Sequence, residues 1–170
     1  LLSEIVSLAT VDVLNRYATG FSIKWPNDIY WHDKKIAGIL IENVLSGSTF
    51  SRAIIGMGLN INQKNFYSDA PNPVSLYQIT GRTYNIEKIL DEFTEAFGKR
   101  YTDTFTNSSD RIHKEYIAAL YRNDGVYPFY SDGNIFHASI ADVELDGHLL
   151  LLTESGEKKR FAFKEVSFLL

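Results

Sequence analysis

Hydrophobic residues at the start of the chain recur at helical spacing. The stripe consists of Leu1, Ile5, Leu8, Ala9, Val13 and Tyr17. This spacing predicts an amphipathic helix over residues 1–18, with Gly20 as its stop. Four apolar segments rich in β-branched and aromatic residues follow, and they predict strands over 21–25, 29–32, 36–44 and 49–61.

Turn-forming residues separate these predicted strands. Pro26 ends the first strand because its nitrogen cannot donate to a β-ladder, and Asn27 and Asp28 favour a turn after it. Further reversals are predicted at Asp33–Lys34 and at Ser46–Ser48. Residues 62–75, rich in Asn, Ser and Pro, predict a loop that we expect to be mobile.

Helical spacing returns in the middle of the chain and then gives way to short strands. A helical turn is predicted at 75–79, Asn85 is the predicted N-cap of a helix through about Phe105, and Ser108 or Ser109 caps the next helix. The last predicted strands are 126–130, 135–144, 149–153 and 160–163, separated by turns such as Asp146–Gly147. Strands this short and closely spaced predict a small barrel, so the fold class is α+β.

Composition excludes several kinds of protein. The 170 residues carry a net charge of -4, which argues against a nucleic-acid partner. The chain has no cysteine, so disulfides, thiol nucleophiles and cysteine-based zinc sites are ruled out. No apolar run reaches membrane-spanning length, and the charges within residues 1–18 are unlike a signal peptide. We therefore expect a cytoplasmic protein without a membrane partner.

Polar groups gather at the ends of the predicted strands, where a rigid scaffold displays chemical groups beside loops. They are Lys24, Asn27, Asp28 and Lys35, and the small Gly38 follows within the next strand. A glycine in a strand often marks close approach of a ligand to the backbone. The alternative is that Pro-Asn-Asp is an ordinary turn and the two lysines are a solvated hairpin end, and composition alone favours this alternative.

Three segments taken together change that balance. Lys24-Trp-Pro-Asn-Asp28, Lys34-Lys-Ile-Ala-Gly-Ile-Leu-Ile-Glu42 and Gly56-Met-Gly-Leu-Asn60 resemble, in order, the catalytic core of the biotin protein ligases, also called biotin–[acetyl-CoA-carboxylase] ligases. The resemblance implies a catalytic domain related to class II aminoacyl-tRNA synthetases, here residues 1–122. It also implies a C-terminal SH3-like barrel, here residues 125–170.

The resemblance implies a reaction in two steps. The biotin carboxylate attacks the α-phosphorus of ATP, with Mg²⁺ as the metal cofactor, to give biotinyl-AMP and pyrophosphate. A lysine of a biotin carboxyl carrier protein then attacks the mixed anhydride and releases AMP. Neither step needs an enzyme nucleophile, because positioning and charge neutralisation suffice. A homodimer is also expected, since members of the family often pair through a sheet edge.

The family motif assigns a role to each matching residue. Catalysis is expected of Lys35, Asp28 and Lys24. Lys35 touches the biotin carboxylate and the α-phosphate, Asp28 orients or deprotonates the incoming lysine, and Lys24 lies near phosphate oxygens or pairs with Asp28. Biotin is expected to bind Lys35 and a floor made of Gly38 and Ile39. The nucleotide is expected to bind Asn27, Asn60 and Lys24. The four histidines show no metal-ligand spacing, so no protein-held metal site is predicted.

The family's Gly/Arg-rich loop, which folds over the adenylate, is not found between Leu1 and Leu170. We therefore expect this chain to be an N-terminally shortened form that is nearly inactive alone when supplied with ATP, biotin and an acceptor. Two alternatives stay open, a lipoate–protein ligase and a non-catalytic fragment that docks a carrier domain. A repressor role would need an N-terminal helix-turn-helix, which this sequence does not contain, and the expected loss of the N-terminal part leaves that role open.

Overall fold

Two antiparallel sheets, one in each half of the chain, carry the architecture. A computed structural model describes residues 1–46, 49–67, 71–106 and 109–169. The elements in chain order are α1 (Leu2–Leu14), β1 (Phe21–Lys24), β2 (Asp28–Trp31), β3 (Lys34–Ser46), β4 (Thr49–Leu59), α2 (Leu76–Thr80), α3 (Ile86–Thr106), α4 (Ser109–Ala118), β5 (Tyr127–Ser131), β6 (Asn134–Val143), β7 (Leu149–Thr153), β8 (Lys158–Phe161) and β9 (Ser167–Phe168). The predicted α+β class is confirmed.

The first sheet has the order β1-β2-β3-β4, and every neighbouring pair is antiparallel. One face of this sheet packs on α1, which also contacts α3 and α4. Because α1 is covered on both sides, it is buried almost all round rather than along the single predicted stripe, and Glu4, Ser7 and Thr10 are buried with its apolar residues. Thr10 satisfies its hydroxyl by donating to the carbonyl of Val6 at 2.8 Å.

Several predicted boundaries are confirmed by specific contacts. Asn85 caps α3, because its side-chain oxygen accepts a hydrogen bond from the backbone N–H of Lys88 at 3.2 Å. Ser75 and Gln78 form a reciprocal capping box at the start of α2. The predicted turn residues Gly47 and Ser48 and the alternative cap Ser108 lie outside the described residues. The described parts of the 62–75 segment contain neither helix nor strand.

The second sheet has the order β8-β7-β6-β5-β9, and the four predicted strands correspond to β5 to β8. Its core includes Phe129, Leu149 and Leu151, each fully buried. This five-stranded antiparallel sheet is compatible with the predicted SH3-like barrel. The strand β9 was not predicted, because two residues are too few to show an alternating pattern.

The two halves are joined by hydrogen bonds between polar groups. The indole N–H of Trp25 donates to the carbonyl of Gly147 at 2.9 Å, which ties the end of β1 to the β6–β7 turn. His113 of α4 lies between two carboxylates, with Nδ1 2.8 Å from Glu4 and Nε2 2.8 Å from Asp142 of β6. None of the described helices is both long and apolar enough to cross a membrane.

Candidate active site

A row of four residues crosses the exposed face of the first sheet. Lys24 pairs with Asp28, Asp28 with Gly38, and Gly38 with Gly58, one residue from each strand. Directly paired residues of antiparallel strands point to the same face, so these positions share one surface. The neighbouring row, which includes Ile23, Ile29 and Ala37, faces the opposite way into the core.

Lys35 joins this row through a β-bulge. Lys35 is three positions before Gly38, and in a regular strand this odd spacing would place the two residues on opposite faces. The register of β2 and β3 shifts between Ile29 and Tyr30, so that Tyr30 pairs with Lys35. The bulge therefore turns Lys35 onto the face of Asp28, and its ammonium lies 2.6 Å from Asp28 Oδ1.

The last part of the 62–75 loop supports Lys35 from the other side. The backbone N–H of Lys35 donates to the carbonyl of Asn72 at 3.0 Å, and the N–H of Val74 donates to the carbonyl of Lys35 at 2.9 Å. Both backbone groups of Lys35 are thus used on the side away from β2. This leaves the Lys35 side chain, 38% exposed, to act from a fixed backbone.

Gly38 makes room for this ion pair. A Cβ atom built at Gly38 would lie 3.3 Å from both Cε and Nζ of Lys35 and 3.4 Å from Asp28 Oδ1. Gly38 does not appear among the glycines with positive φ, so its backbone conformation is open to other residues. A residue without a Cβ is therefore needed here, because the charged pair occupies that space. A Cβ at Gly58 would meet no atom within 4 Å, which leaves the sheet surface open beside the pair.

Two partners are expected for Lys24, phosphate oxygens or Asp28, and the structure gives its ammonium a third, the hydroxyl of Tyr30. Asp28 is paired with Lys35, and the Lys24 ammonium instead donates to the hydroxyl of Tyr30 at 3.0 Å. Burial lowers the pKa of Lys24, and the positive charges of Lys35 and Arg122 lower it further, against the opposing effect of Asp28. The site therefore holds two close cations that have one carboxylate between them, which favours an anionic ligand.

Asn27 and Ile39 are bound to each other. The side-chain amide of Asn27 donates to the carbonyl of Ile39 at 2.5 Å, and the backbone N–H of Ile39 donates to the carbonyl of Asn27 at 2.8 Å. The Ile39 side chain is only 2% exposed and belongs to the core. Ile39 therefore does not present its side chain as a ligand-facing floor. Through its two hydrogen bonds with Asn27, Ile39 instead holds Asn27 and the adjacent Asp28 in place.

Asn60 follows β4 and lies next to the bulge. Its backbone N–H donates to the carbonyl of Ile36 at 2.9 Å, and its carbonyl accepts from the N–H of Leu76 at 3.0 Å. Both backbone groups are used, and among the described residues no hydrogen bond of its side-chain amide is found. Asn60 can therefore offer that amide to a ligand from the strand beside Lys35.

A separate cluster of potential metal ligands lies in the turn between β6 and β7. Glu144, Asp146 and His148 bring their ligand atoms within 4.8 Å of one another. Arg160 forms ion pairs with both Glu144 and Asp146, and Asp146 Oδ1 is 2.9 Å from His148 Nδ1. Because a guanidinium already neutralises these carboxylates, the cluster is better described as a network of ion pairs than as a metal site.

Comparisons with known proteins agree with the motifs on this sheet. Residues 2–60 match the Biotin/lipoate A/B protein ligase family. The bifunctional ligase/repressor BirA of Bacillus spizizenii is 30% identical over 148 residues, covering 82% of this chain and 44% of BirA. The biotin–[acetyl-CoA-carboxylase] ligase of Paracoccus denitrificans is 30% identical over 128 residues, covering 71% of this chain and 53% of that enzyme. The chain thus spans about half the length of these relatives or less.

The fold has a close match among solved structures. The biotin protein ligase of Aquifex aeolicus in complex with biotin and ATP superposes with a TM-score of 0.75 at 23% identity, covering 98% of this chain and 69% of that one. Its apo form gives a TM-score of 0.76 at 22% identity, covering 99% and 74%. The shared fold therefore includes both sheets. The matched segment and the relatives show that the chain belongs to the biotin protein ligase family. The solved structures show that it has the same fold.

Proposed function

We propose that the full-length protein containing this chain is a biotin–[acetyl-CoA-carboxylase] ligase. It activates biotin with ATP to biotinyl-AMP and transfers the biotinyl group to a lysine of a biotin carboxyl carrier protein, in the cytoplasm. The observation that carries the proposal is the Lys35–Asp28 pair, held over Gly38 on the open face of the first sheet. The substrates in this proposal, biotin, ATP and the carrier protein, are inferred from membership of the family.

In this proposal Lys35 stabilises the negative charge shared by the biotin carboxylate and the α-phosphate. Its ammonium is fixed by Asp28 and by the backbone bonds to Asn72 and Val74, so little reorganisation is needed when a ligand arrives. In the second step Asp28 accepts a proton from the attacking lysine amine of the carrier protein. Asp28 is 23% exposed, which leaves it accessible from solvent.

Lys24 and Asn60 are proposed to bind the nucleotide from the two sides of Lys35. Lys24 supplies a partly buried positive charge, and Asn60 supplies a side-chain amide. Asn27 contributes to nucleotide binding only indirectly, because its side-chain amide already donates a hydrogen bond to the carbonyl of Ile39. Gly38 and Gly58 leave the sheet backbone open to close approach of the biotin ring.

Magnesium requires oxygen ligands, usually carboxylates together with substrate phosphates. Asp28 is the carboxylate in the row of site residues, and it is bound to Lys35 at 2.6 Å. The site residues described here therefore do not fit a metal held by the protein itself. We assign no step to Mg²⁺ beyond its expected association with ATP.

The test is biotinyl-AMP synthesis by the full-length protein with Lys35→Ala, compared with Lys34→Ala as the matched control. Lys34 is adjacent and exposed, so both variants lose one charge from the same hairpin. We expect Lys35→Ala to lose about 10²-fold or more in rate, a typical loss for one electrostatic donor, and Lys34→Ala to stay near the wild type. Equal rates in the two variants would remove Lys35 from the mechanism. Calorimetric titration with biotin and with lipoate would distinguish the two acids accepted within the wider family.

A further inference from the structure

The ammonium of Lys24 lies between two aromatic rings, one from each half of the chain. It is 4.6 Å from the ring centre of Tyr30, in the first sheet, and 5.5 Å from that of Phe168, in β9. Both distances are within the range in which a cation is attracted to the face of a ring. Phe168 belongs to the final strand, which contributes nothing else to the row of site residues.

Phe168 is itself held in place from two directions. Within the second sheet it pairs with the fully buried Phe129, whose ring centre is 4.9 Å away. Towards the first sheet it faces Tyr121 at 6.1 Å, and Tyr121 in turn lies 5.4 Å from Tyr30. The hydrogen bond of Tyr121 to Asp33 fixes that ring to the β2–β3 turn.

We propose that Phe168 is a positioning residue for Lys24, through which the C-terminal sheet holds the Lys24 ammonium against Tyr30 at the edge of the ligand site. Arg122 reinforces the contact, because its guanidinium donates to the carbonyl of Leu169, the residue after Phe168. The proposed effect on catalysis rests on the proposed ligase function. The contact between Phe168 and Lys24 is independent of that function.

The chemistry of the contact gives opposite expectations for two substitutions. Phe168→Leu keeps an apolar group that excludes water but has no negative ring face, so the charged form of Lys24 loses an attraction. Phe168→Ala opens the contact to water, so the desolvation that now lowers the Lys24 pKa is relieved. Phe168→Tyr keeps the ring and should behave as the wild type. The charges that act on Lys24 from other elements, Asp28, Lys35 and Arg122, are unchanged in all three variants.

The experiment is a pH titration of this 170-residue chain by NMR, with ¹³C at the lysine ε-carbons and Lys24→Arg to assign the signal. We expect the pKa of Lys24 to fall by about 0.5 in Phe168→Leu, which corresponds to the loss of one weak cation–ring contact. We expect it to rise in Phe168→Ala and to stay unchanged in Phe168→Tyr. Phe163→Leu is the matched control, since Phe163 is 60% exposed and its ring lies beside Lys164 instead.

The proposal would be overturned if Phe168→Leu, Phe168→Ala, Phe168→Tyr and Phe163→Leu all had the same Lys24 pKa. If Phe168→Ala fails to fold, the pair Phe168→Leu and Phe168→Tyr still decides the matter. In the full-length enzyme, the alkaline limb of the pH–rate profile for biotinyl-AMP synthesis should move in the same order as the Lys24 pKa. An inactive wild-type enzyme would refute the ligase function, whereas the NMR result would still test the contact.

Discussion

Replacement of Gly38 by alanine should separate the stability of this protein from its activity. The added methyl group would lie 3.3 Å from Nζ of Lys35, which must move by a few tenths of an ångström, and 3.4 Å from Oδ1 of Asp28, at the limit of ordinary contact. They are the ends of side chains that are 38% and 23% exposed, and they can move without disturbing the core. The ion pair is thus displaced while the strand is retained.

The expected change in stability is small because two effects oppose each other. Alanine in a strand gains about 0.5–1 kcal/mol over glycine through the lower conformational entropy of the unfolded chain. Weakening a partly exposed ion pair costs about 0–1 kcal/mol. The free energy of unfolding should therefore stay within about 1 kcal/mol of the wild-type value. Activity should fall by up to about tenfold, because displacing a catalytic group by about 1 Å can cost about 10²-fold and the proposed catalytic lysine moves by only a fraction of that distance.

Two measurements decide this prediction. Urea unfolding of the chain gives the stability, and biotinyl-AMP synthesis by the full-length Gly38→Ala protein gives the activity. Gly56→Ala is the matched control. Gly56 lies in β4 on the sheet face that carries Gly38, and the nearest atom to its added Cβ would be the carbonyl oxygen of Leu40, at 3.9 Å. A loss of more than about 2 kcal/mol in Gly38→Ala, or activity equal to the wild type, would refute this account of Gly38.

Two further predictions concern contacts that hold the site and the interface between the halves. Asn27→Asp should lower the free energy of unfolding by about 1–3 kcal/mol, because a carboxylate cannot donate to the carbonyl of Ile39. The loss should be larger than in Asn27→Ala. Equal thermal stability of both variants and the wild type would contradict this prediction. Burial opposes protonation of His113, but hydrogen bonds to Glu4 and Asp142 outweigh it and raise its pKa, so the folded state holds the proton more tightly. The wild type should therefore exceed His113→Gln in stability by about 1 kcal/mol at pH 6 and lose this advantage as the pH rises through the raised pKa, as urea unfolding at pH 6 and pH 9 would show. A constant difference between the two pH values would contradict it.

The strand boundaries around the site were predictable because local chemistry fixes them. Pro26 and Asn27 lie between the end of β1 and the start of β2 at Asp28, and Asn85 caps α3, each through contacts within a few residues. What local chemistry cannot give is the burial of α1, which depends on two layers packing on opposite sides of it. The strand β9 escaped prediction for a related reason, because it is defined by pairing with β5 nearly forty residues earlier.

The site residues, like the elements of the fold, were predictable only in part. Lys24, Asp28, Lys35 and Gly38 were all predicted and lie together, because the family motif places them on neighbouring strands. Of the two alternatives for Lys24, an ion pair with Asp28 is not the one observed, since Asp28 binds Lys35 and Lys24 donates to Tyr30. Phe168 gave no signal in the sequence, because nothing near it indicates that the last strand reaches back to β1.

The choice between two adjacent lysines shows most clearly what pattern alone could not supply. Lys34 is four residues before Gly38, so strict alternation along β3 would place Lys34, and not Lys35, on the face of Asp28. The bulge opposite Ile29 and Tyr30 reverses this choice, and the paired backbone of Asn72 and Val74 holds the strand in the shifted register. A one-residue change in register would exchange the two lysines and leave Asp28 without its present partner. The activity proposed for this family member therefore depends on a backbone irregularity as much as on the identity of Lys35.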